Sequence, residues 1–561
     1  MEALDWIVIG VFALALIGII VWVVKQKQND SADYFLGGRD ATWLAIGASI
    51  FASNIGSEHL IGLAGAGASS GMAMAHWEIQ GWMILILGWV FVPFYSRSMV
   101  YTMPEFLERR YNSQSRTILS VISLISYVLT KVAVTVYAGG LVFQQVFGIK
   151  ELWGIDFFWI AAIGLVVLTA LYTIFGGMKS VLYTSVLQTP ILLLGSLIIL
   201  VLGFKELGGW DEMMRICGAV TVNDQGNTMT ELIRSNDDPN FPWLGALIGS
   251  AIIGFWYWCT DQFIVQRVLS GKNQKEARRG TIFGAYLKLL PVFLFLIPGM
   301  IAFALHQKYI GDGGFLPLLA NGTPNADAAF PTLVAKILPA GVKGLVVCGI
   351  LAALMSSLAS LFNSSAMLFT IDFYKRFKPQ TSEKKLVVIG QIATVVIVIL
   401  GILWIPIMRS VGDVLYTYLQ DVQSVLAPGI AAAFLLGITW KKTSAQGGMW
   451  GLIAGMVIGL TRLGAKVYYS NATVTDSSLF KYLFYAWVAT LVGGAAGLAF
   501  GFTVIPIVIW NAYGTMYTIP GFRCLFHASL AVLGVGAALL CTSAATLNAC
   551  GQTLKEWAAQ L

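Results

Sequence analysis

Residues 52–71 read Ala52-Ser53-Asn54-Ile55-Gly56-Ser57-Glu58-His59, followed by Leu60-Ile61-Gly62-Leu63-Ala64-Gly65-Ala66-Gly67-Ala68-Ser69-Ser70-Gly71. The stretch is apolar enough for a bilayer, yet its first half carries Ser, Asn, Glu and His. Polar groups at mid-membrane are costly unless they face a cavity or a partner. Ser, Asn and Gly also favour local departures from the helix ladder. The run therefore reads as a broken membrane helix, whose freed carbonyls can hold a hard cation. The bland alternative is close helix packing through small residues. That alternative accounts for the glycines but not for Asn, Glu and His together. The glycines superficially resemble a dinucleotide-binding fingerprint, but no strand precedes them.

The rest of the chain fits a membrane setting. Of 561 residues, 57% are hydrophobic and 11% charged, against about half and about a quarter in soluble domains. A soluble enzyme, a disordered chain and a secreted disulfide scaffold are excluded. Apolar runs at 5–24, 42–69, 72–95, 117–146, 157–175, 181–204 and 243–267 are candidate spans. Further runs lie at 280–305, 342–374, 385–408, 412–439, 446–466, 480–506 and 522–546. The expectation is a polytopic all-α integral membrane protein with about fourteen transmembrane helices. The first run is too long, and too poor in leading basic residues, for a cleaved signal, so it is expected to be retained.

The net charge of +7 follows topology and implies no nucleic-acid partner. Alternate loops carry Lys25 and Arg39, then Arg97, Arg109, Arg110 and Arg116, then Lys179, then Arg267, Lys272 and Arg278. Lys375, Lys378, Lys384, Lys441, Lys442 and Arg523 continue the series. That face is expected to be cytoplasmic, with both termini outside and the chain in the plasma membrane (the inner membrane if bacterial). The loops around 205–242 and 306–341 then face outward, and Asn321 and Asn471 head glycosylation-type triplets there. Six scattered cysteines form no Cys-x-x-Cys pair, so neither a zinc site nor an obligatory disulfide is expected.

Further polar groups interrupt apolar spans. Glu78 and Gln80 follow His76 and Trp77; a buried carboxylate beside an aromatic face suits hydroxyl-rich ligands. An interfacial Trp cluster is the alternative. Trp256, Tyr257 and Trp258 precede Asp261 and Gln262, which implies a cavity or a second helix break, or else an aromatic packing belt. Lys288 is a buried ammonium that Glu78 or a ligand hydroxyl would satisfy, unless it snorkels. Ser356 and Ser357, with Asn363-Ser364-Ser365 beyond, offer oxygens for a hard monovalent cation. The same serines could equally bond back to their own helix. Gln420 is a mid-span amide able to pair with either side of a hydroxyl, or with another helix.

These residues, with Tyr101–Arg110 (YTMPEFLERR), Tyr183–Thr189 (YTSVLQT), Trp256–Arg267 (WYWCTDQFIVQR), Tyr286–Pro291 (YLKLLP) and Leu354–Phe362 (LMSSLASLF), resemble the sodium/solute symporter family. Within that family the likeness is to its sodium–glucose cotransporters, and it runs from about Tyr34 to Lys442. The resemblance implies the inverted-repeat five-plus-five helix fold of the leucine-transporter type, in a single membrane domain. An extra N-terminal helix would occupy 5–24, the repeats 42–204 and 243–439, and three extra helices 446–546. It implies sugar contacts at Asn54, His59, Glu78, Lys288 and Gln420, with Tyr257 as inner gate and Trp258 and Trp77 as pocket walls. It also implies a Na⁺ site from the carbonyls of Ala52, Ile55 and Ala353 and the hydroxyls of Ser356 and Ser357.

The chain departs from that pattern in several places. Family members that move two sodium ions carry an Asp and a Thr where this chain has Ser185 and Ala359, so one Na⁺ per sugar is expected. Thr135 replaces an acid expected near Lys131, Glu58 stands where animal members have Gly, and Gln423 where they often have Thr or Ser. The expected function is Na⁺-coupled uptake of a hexose such as glucose or galactose by alternating access. Na⁺ would bind first and favour the outward-open state. The partners are then a monosaccharide, Na⁺ and the lipid bilayer, with one chain sufficient for transport. Rival solutes are myo-inositol, a sialic acid or a carboxylate. Rival classes are a sugar-gated channel or sensor and a membrane enzyme. No His-Glu-x-x-His or nucleotide loop is present, and His59, His76, His306 and His527 have no metal spacing.

Overall fold

The computed structural model describes residues 1–26, 30–56, 58–223, 226–235, 238, 241, 243–319, 322–411, 415–440 and 443–470. Asn321, Lys441, Lys442, Asn471, Arg523, His527 and the expected spans beyond residue 470 lie outside the described residues. Among the described residues, six segments are long and apolar enough to cross a bilayer: Ala3–Lys25, Glu58–Ser98, Phe157–Leu207, Gln274–Lys308, Val342–Phe377 and Glu383–Leu403. Shorter apolar helices cover Trp43–Asn54, Ala133–Phe147 and Leu426–Thr439. The chain divides into two compact units. The first comprises Met1–Val92, Ser123–Arg234 and Gln262–Leu419. The second comprises Pro93–Ile122, Ser235–Asp261 and the described residues from Gln420 onward.

In the first unit, Ala3–Lys25 exposes Leu4, Ile7, Val11, Leu14, Ile17 and Val21 and buries Phe12, Leu16 and Val23. The buried three follow helical spacing, and Phe12 packs with Cys348 and Ala352 among Ile9, Leu187 and Ile191. In lipid such packing gains dispersion contacts and little from the hydrophobic effect, because the alternative partner is also apolar. Asp5 contributes more than packing. Its Oδ1 accepts from the Gly341 and Gly344 amides, each at 2.8 Å, and so caps the helix Val342–Met367 from another part of the chain.

The helix Phe157–Leu207 is really two rods. Gly177 has φ 52° and ψ −148°, and a Cβ there would overlap the Tyr34 carbonyl. Only glycine meets both demands. The rods on either side coincide with the expected spans 157–175 and 181–204. This helix packs on Val342–Met367 and on Trp43–Asn54, and Trp43–Asn54 also packs on Gln274–Leu287.

The broken-helix expectation and its bland alternative both describe part of residues 43–71. The helix Trp43–Asn54 ends with Ile55 extended (φ −77°, ψ 102°), and a π-helical turn resumes at Glu58–Leu63. Farther on, a Cβ at Gly67 would overlap the Leu296 carbonyl and one at Gly299 the Ala64 carbonyl. The early polar half is a break and the later glycines are a close helix contact.

A strap formed by residues 226–234 folds onto the start of the next helical run. The Met72 amide donates to the Met229 carbonyl at 2.7 Å, and Arg234 Nη2 donates to the Ser70 carbonyl at 2.5 Å. His76 Nε2 lies 2.8 Å from the Leu232 carbonyl. Gly71, at φ 73°, leaves the room that Met229 occupies.

In the second unit, Arg110 gathers carbonyls at and just beyond the C-terminus of the helix Leu415–Thr439. It donates to Gly437 at 2.5 Å, to Trp440 at 2.9 Å and to Thr443 at 3.2 Å. Tyr111 adds a bond to the Ala433 carbonyl at 2.7 Å. A guanidinium at a helix C-terminus satisfies orphan carbonyls and opposes the negative end of the dipole.

Candidate functional site

The break after Asn54 brings two elements of the first unit together. Ser357 Oγ, on the helix Val342–Met367, donates to the Ser53 carbonyl at 2.8 Å and lies 3.5 Å from the Ile55 carbonyl. A Cβ at Gly56 would come within 2.8 Å of the same hydroxyl. The serine helix thus approaches the break where the chain has no side chain. Ala52 and Ile55 lie on one side of this junction. Ala353, Ser356 and Ser357 share one turn of the other helix, and all five are buried.

The neighbouring hydroxyls form a network. Ser53 Oγ lies 2.7 Å from Ser360 Oγ and 3.5 Å from Ser356 Oγ. Ser185 Oγ lies 3.3 Å from Ser356 Oγ and donates to its own helix at Val181, 2.6 Å away. Ser360 likewise bonds back to the Ser356 carbonyl at 2.7 Å. Self-bonding thus describes Ser185 and Ser360, whereas Ser357 reaches across to the broken helix. Carbonyl and hydroxyl oxygens suit a hard monovalent ion. Among the described residues no cluster of His, Cys, Asp or Glu could hold a metal ion.

A buried charged triad lies on the same unit. Lys288 Nζ is 2.6 Å from Glu78 Oε2 and 2.8 Å from His59 Nε2, and His59 Nε2 is 3.2 Å from Glu78 Oε1. Lys288 is 3% exposed, Glu78 2% and His59 2%, so Lys288 does not snorkel. Each element makes room for the group it carries or meets. His59 sits on the π turn, Gly81 leaves space for the Lys288 stem, and the Phe295 ring meets the His59 ring edge-on at 6.2 Å. An ion pair held this deeply needs its partners in place, because a lone buried charge is strongly unfavourable. Asn54 is buried at the end of the broken helix, and Trp77 is half-buried beside Glu78.

Tyr257 and Trp258 lie in the second unit, on the π turn Phe255–Thr260. Their rings meet edge-on at 4.9 Å. The turn ends at Asp261, which is extended (φ −75°, ψ 128°), so the chain has a second helix break where the Asp261-Gln262 pair implies one. The helix carrying Gln420 is described, but its side chain lies outside the described residues.

Sequence reasoning missed some buried partners. Arg267, expected among loop cations, is 1% exposed and donates from Nε to Ser53 Oγ at 3.1 Å. Its guanidinium also lies 5.0 Å from the Phe263 ring, which faces Lys131 Nζ at 4.7 Å. Gln266 donates to the Phe35 carbonyl at 2.6 Å and accepts from Ser364 Oγ at 2.7 Å. The available signal was the i, i+4 pair Gln262 and Gln266 beside Arg267, a polar stripe on an otherwise apolar helix.

The model of the sodium:solute symporter family matches residues 34–455. The chain belongs to this family. The symporter is 38% identical to human (Homo sapiens) sodium/myo-inositol cotransporter 2, over 82% of this chain and 70% of that protein. It is 36% identical to sodium/glucose cotransporter 4 of Danio rerio, over 88% of this chain and 77% of that protein. Its fold matches that of a Na⁺-coupled sialic acid symporter in a substrate-bound outward-open state. The TM-score there is 0.70 and the identity 20%, covering 95% of this chain and 98% of the other. The symporter is a multi-pass membrane transporter that co-transports Na⁺ with a solute, and it is not an enzyme.

Proposed function

We propose that the symporter couples one Na⁺ to the uptake of one uncharged, ring-sized polyol, a hexose such as glucose or galactose. The observation that carries the solute class is the Lys288–Glu78–His59 triad. It offers both donors and acceptors to hydroxyls while its ammonium and one carboxylate balance each other. A buried acid at Glu78 disfavours an anionic solute. Asn54 would add an amide, and Tyr257, Trp258, Trp77 and Gln420 keep the roles that the family resemblance assigns. A second reading, myo-inositol, draws support from the relatives of that name. Its ring bears hydroxyls on every carbon and suits the same donors and acceptors.

Na⁺ would lodge among the carbonyls of Ala52, Ile55 and Ala353 and the hydroxyls of Ser356 and Ser357. There it would tie the broken helix to the serine helix within one unit. An ion that favours one conformation, shared with a solute that does the same, suffices for coupling. One charge moving inward at −100 mV supplies about 2.3 kcal/mol before its concentration gradient is counted. Ser185 and Ala359 leave no carboxylate for a second ion, which supports the single-ion stoichiometry. The reading keeps about fourteen spans in two inverted repeats, with both termini outside. The test is uptake of labelled glucose, galactose and myo-inositol into proteoliposomes under an inward Na⁺ gradient. Uptake that persists unchanged when K⁺ or choline replaces Na⁺ would overturn it.

A further inference from the structure

Arg267 heads a hydrogen-bond chain that ends on the serine helix. Its Nε–H donates to Ser53 Oγ at 3.1 Å. Ser53 Oγ lies 2.7 Å from Ser360 Oγ, and Ser360 Oγ donates to the Ser356 carbonyl at 2.7 Å. Each contact needs one proton, and each hydroxyl has one to give. A carbonyl has none, so the Ser360 proton goes to Ser356. The Ser53 proton must then fill the contact with Ser360, and the arginine supplies the third. The order from Arg267 through Ser53 and Ser360 to the Ser356 carbonyl is therefore fixed from both ends. All four residues are 1% exposed, so bulk water does not compete for these bonds. The chain joins three elements of the first unit: Gln262–Leu269, the end of Trp43–Asn54, and Val342–Met367.

Ser356 is the residue this order affects. Its Oγ lies 3.5 Å from Ser53 Oγ and is the next hydroxyl the Ser53 proton could turn to. A proton there would occupy a lone pair that a cation needs. In the ordered chain it points to Ser360 instead. The Ser53 carbonyl meanwhile takes the Ser357 proton at 2.8 Å, which leaves the lone pairs of that serine free as well.

We infer that Arg267 is a positioning residue for the Na⁺ site and acts through Ser53. It pins the Ser53 hydroxyl with its proton toward Ser360, so that Ser356 Oγ stays available to the ion. This rests on the reading that Ser356 and Ser357 hold Na⁺. The donor carries the effect and not the charge, because a fixed cation near the site repels Na⁺ and its removal alone would tighten binding.

Two substitutions in the full-length protein separate donor from charge. Arg267→Lys keeps the charge but sets a methylene where Nε stands. Arg267→Gln sets an amide nitrogen there and drops the charge. The readout is the Na⁺ concentration giving half of the Na⁺-induced rise in melting temperature, with K⁺ holding ionic strength constant and no solute present. Arg267→Lys is expected to raise that concentration roughly five-fold, and Arg267→Gln is expected not to raise it. Ser53→Ala should give a similar rise, to which Arg267→Lys adds nothing. A wild-type value in Arg267→Lys, an equal rise in Arg267→Gln, or additive effects would overturn the inference. A lower melting temperature in K⁺ with an unmoved Na⁺ midpoint would mark a purely structural tether and overturn it too. Should Arg267→Lys fail to fold, Ser53→Ala decides alone, and a wild-type midpoint there overturns the inference. Ser357→Ala is the control for the site. If it keeps the wild-type midpoint, or wild type shows no Na⁺-induced rise, the reading of the ion site fails and takes the inference with it. A shift in Ser357→Ala alone sinks only the role of Arg267.

Discussion

Ser357 gives its hydroxyl proton to the backbone carbonyl of Ser53, 2.8 Å away on a different helix. A membrane serine usually bonds to its own helix, as Ser185 does with Val181 at 2.6 Å. Ser357 reaches across because the ladder of the facing helix stops at Asn54 and Gly56 carries no side chain. The bond joins the two elements that the ion must also join.

Ser357→Ala should therefore weaken Na⁺ dependence far more than Ser185→Ala. Losing the cross-helix hydroxyl costs about 1–2 kcal/mol, roughly a ten-fold rise in the Na⁺ concentration for half-maximal uptake. Ser185→Ala should change it little. Sodium titrations of uptake in the two variants check this, and equal effects would count against the proposed latch.

Glu78→Gln should abolish uptake and lower thermal stability, since it strips the buried Lys288 of its counter-charge. Breaking a buried pair from one side costs about 3–5 kcal/mol. Replacing both partners, with Lys288→Met added to Glu78→Gln, should recover much of the stability and none of the transport. Thermal unfolding in detergent alongside uptake separates the two. Recovery of uptake in the double variant would refute a direct role for the pair.

Arg110→Ala should destabilise the second unit by about 1–3 kcal/mol, because three carbonyls at and just beyond the helix end lose a charged donor together. Arg110→Lys should retain part of this, as an ammonium lacks the planar fork. Limited proteolysis or hydrogen exchange across Leu426–Thr439 would show the loss. A wild-type exchange rate there in Arg110→Ala would disprove it.

Gly299→Ala should cost about 1–3 kcal/mol through overpacking, since the added methyl would overlap the Ala64 carbonyl. Gly164→Ala, with open space around it, should be neutral by the same thermal assay. Equal melting temperatures for the two would contradict the close contact.

Glu231 provides a pH test outside the spans. The Asn227 amide at 2.7 Å and the Thr228 amide at 3.1 Å hold its carboxyl below the ordinary carboxylate range. Its folded value is depressed, so its contribution is complete above the unfolded value of about 4.3. That contribution fades as pH falls through the lower folded value. Exchange of the Thr228 amide should quicken in that acidic window and should lose this pH dependence in Glu231→Gln. An identical profile in the variant would exclude the carboxyl as the cause.

Much of this architecture was legible in residue order. Asn, Glu and His amid small apolar neighbours pointed to the break after Asn54. The Asp261-Gln262 pair pointed to the second, and Lys288 to a buried acid. Other features were hidden because they depend on what a distant segment brings. Nothing near Asp5 reveals that it caps a helix more than three hundred residues away. Arg267 looks like a loop cation by position, and only the approach of Ser53 shows its buried role. Small-residue runs also carry two meanings at once. Gly56 opens a gap for Ser357, whereas Gly67 lets the Leu296 backbone come close.

The strap of residues 226–234 has a practical use. It is anchored to Ser70, Met72 and His76, just ahead of Glu78, so the two should travel as one body. Ile233 on that strap is 67% exposed. A spin label or fluorophore attached there would report each time the helix bearing Glu78 shifts during the transport cycle, without a probe placed among the buried groups around Glu78.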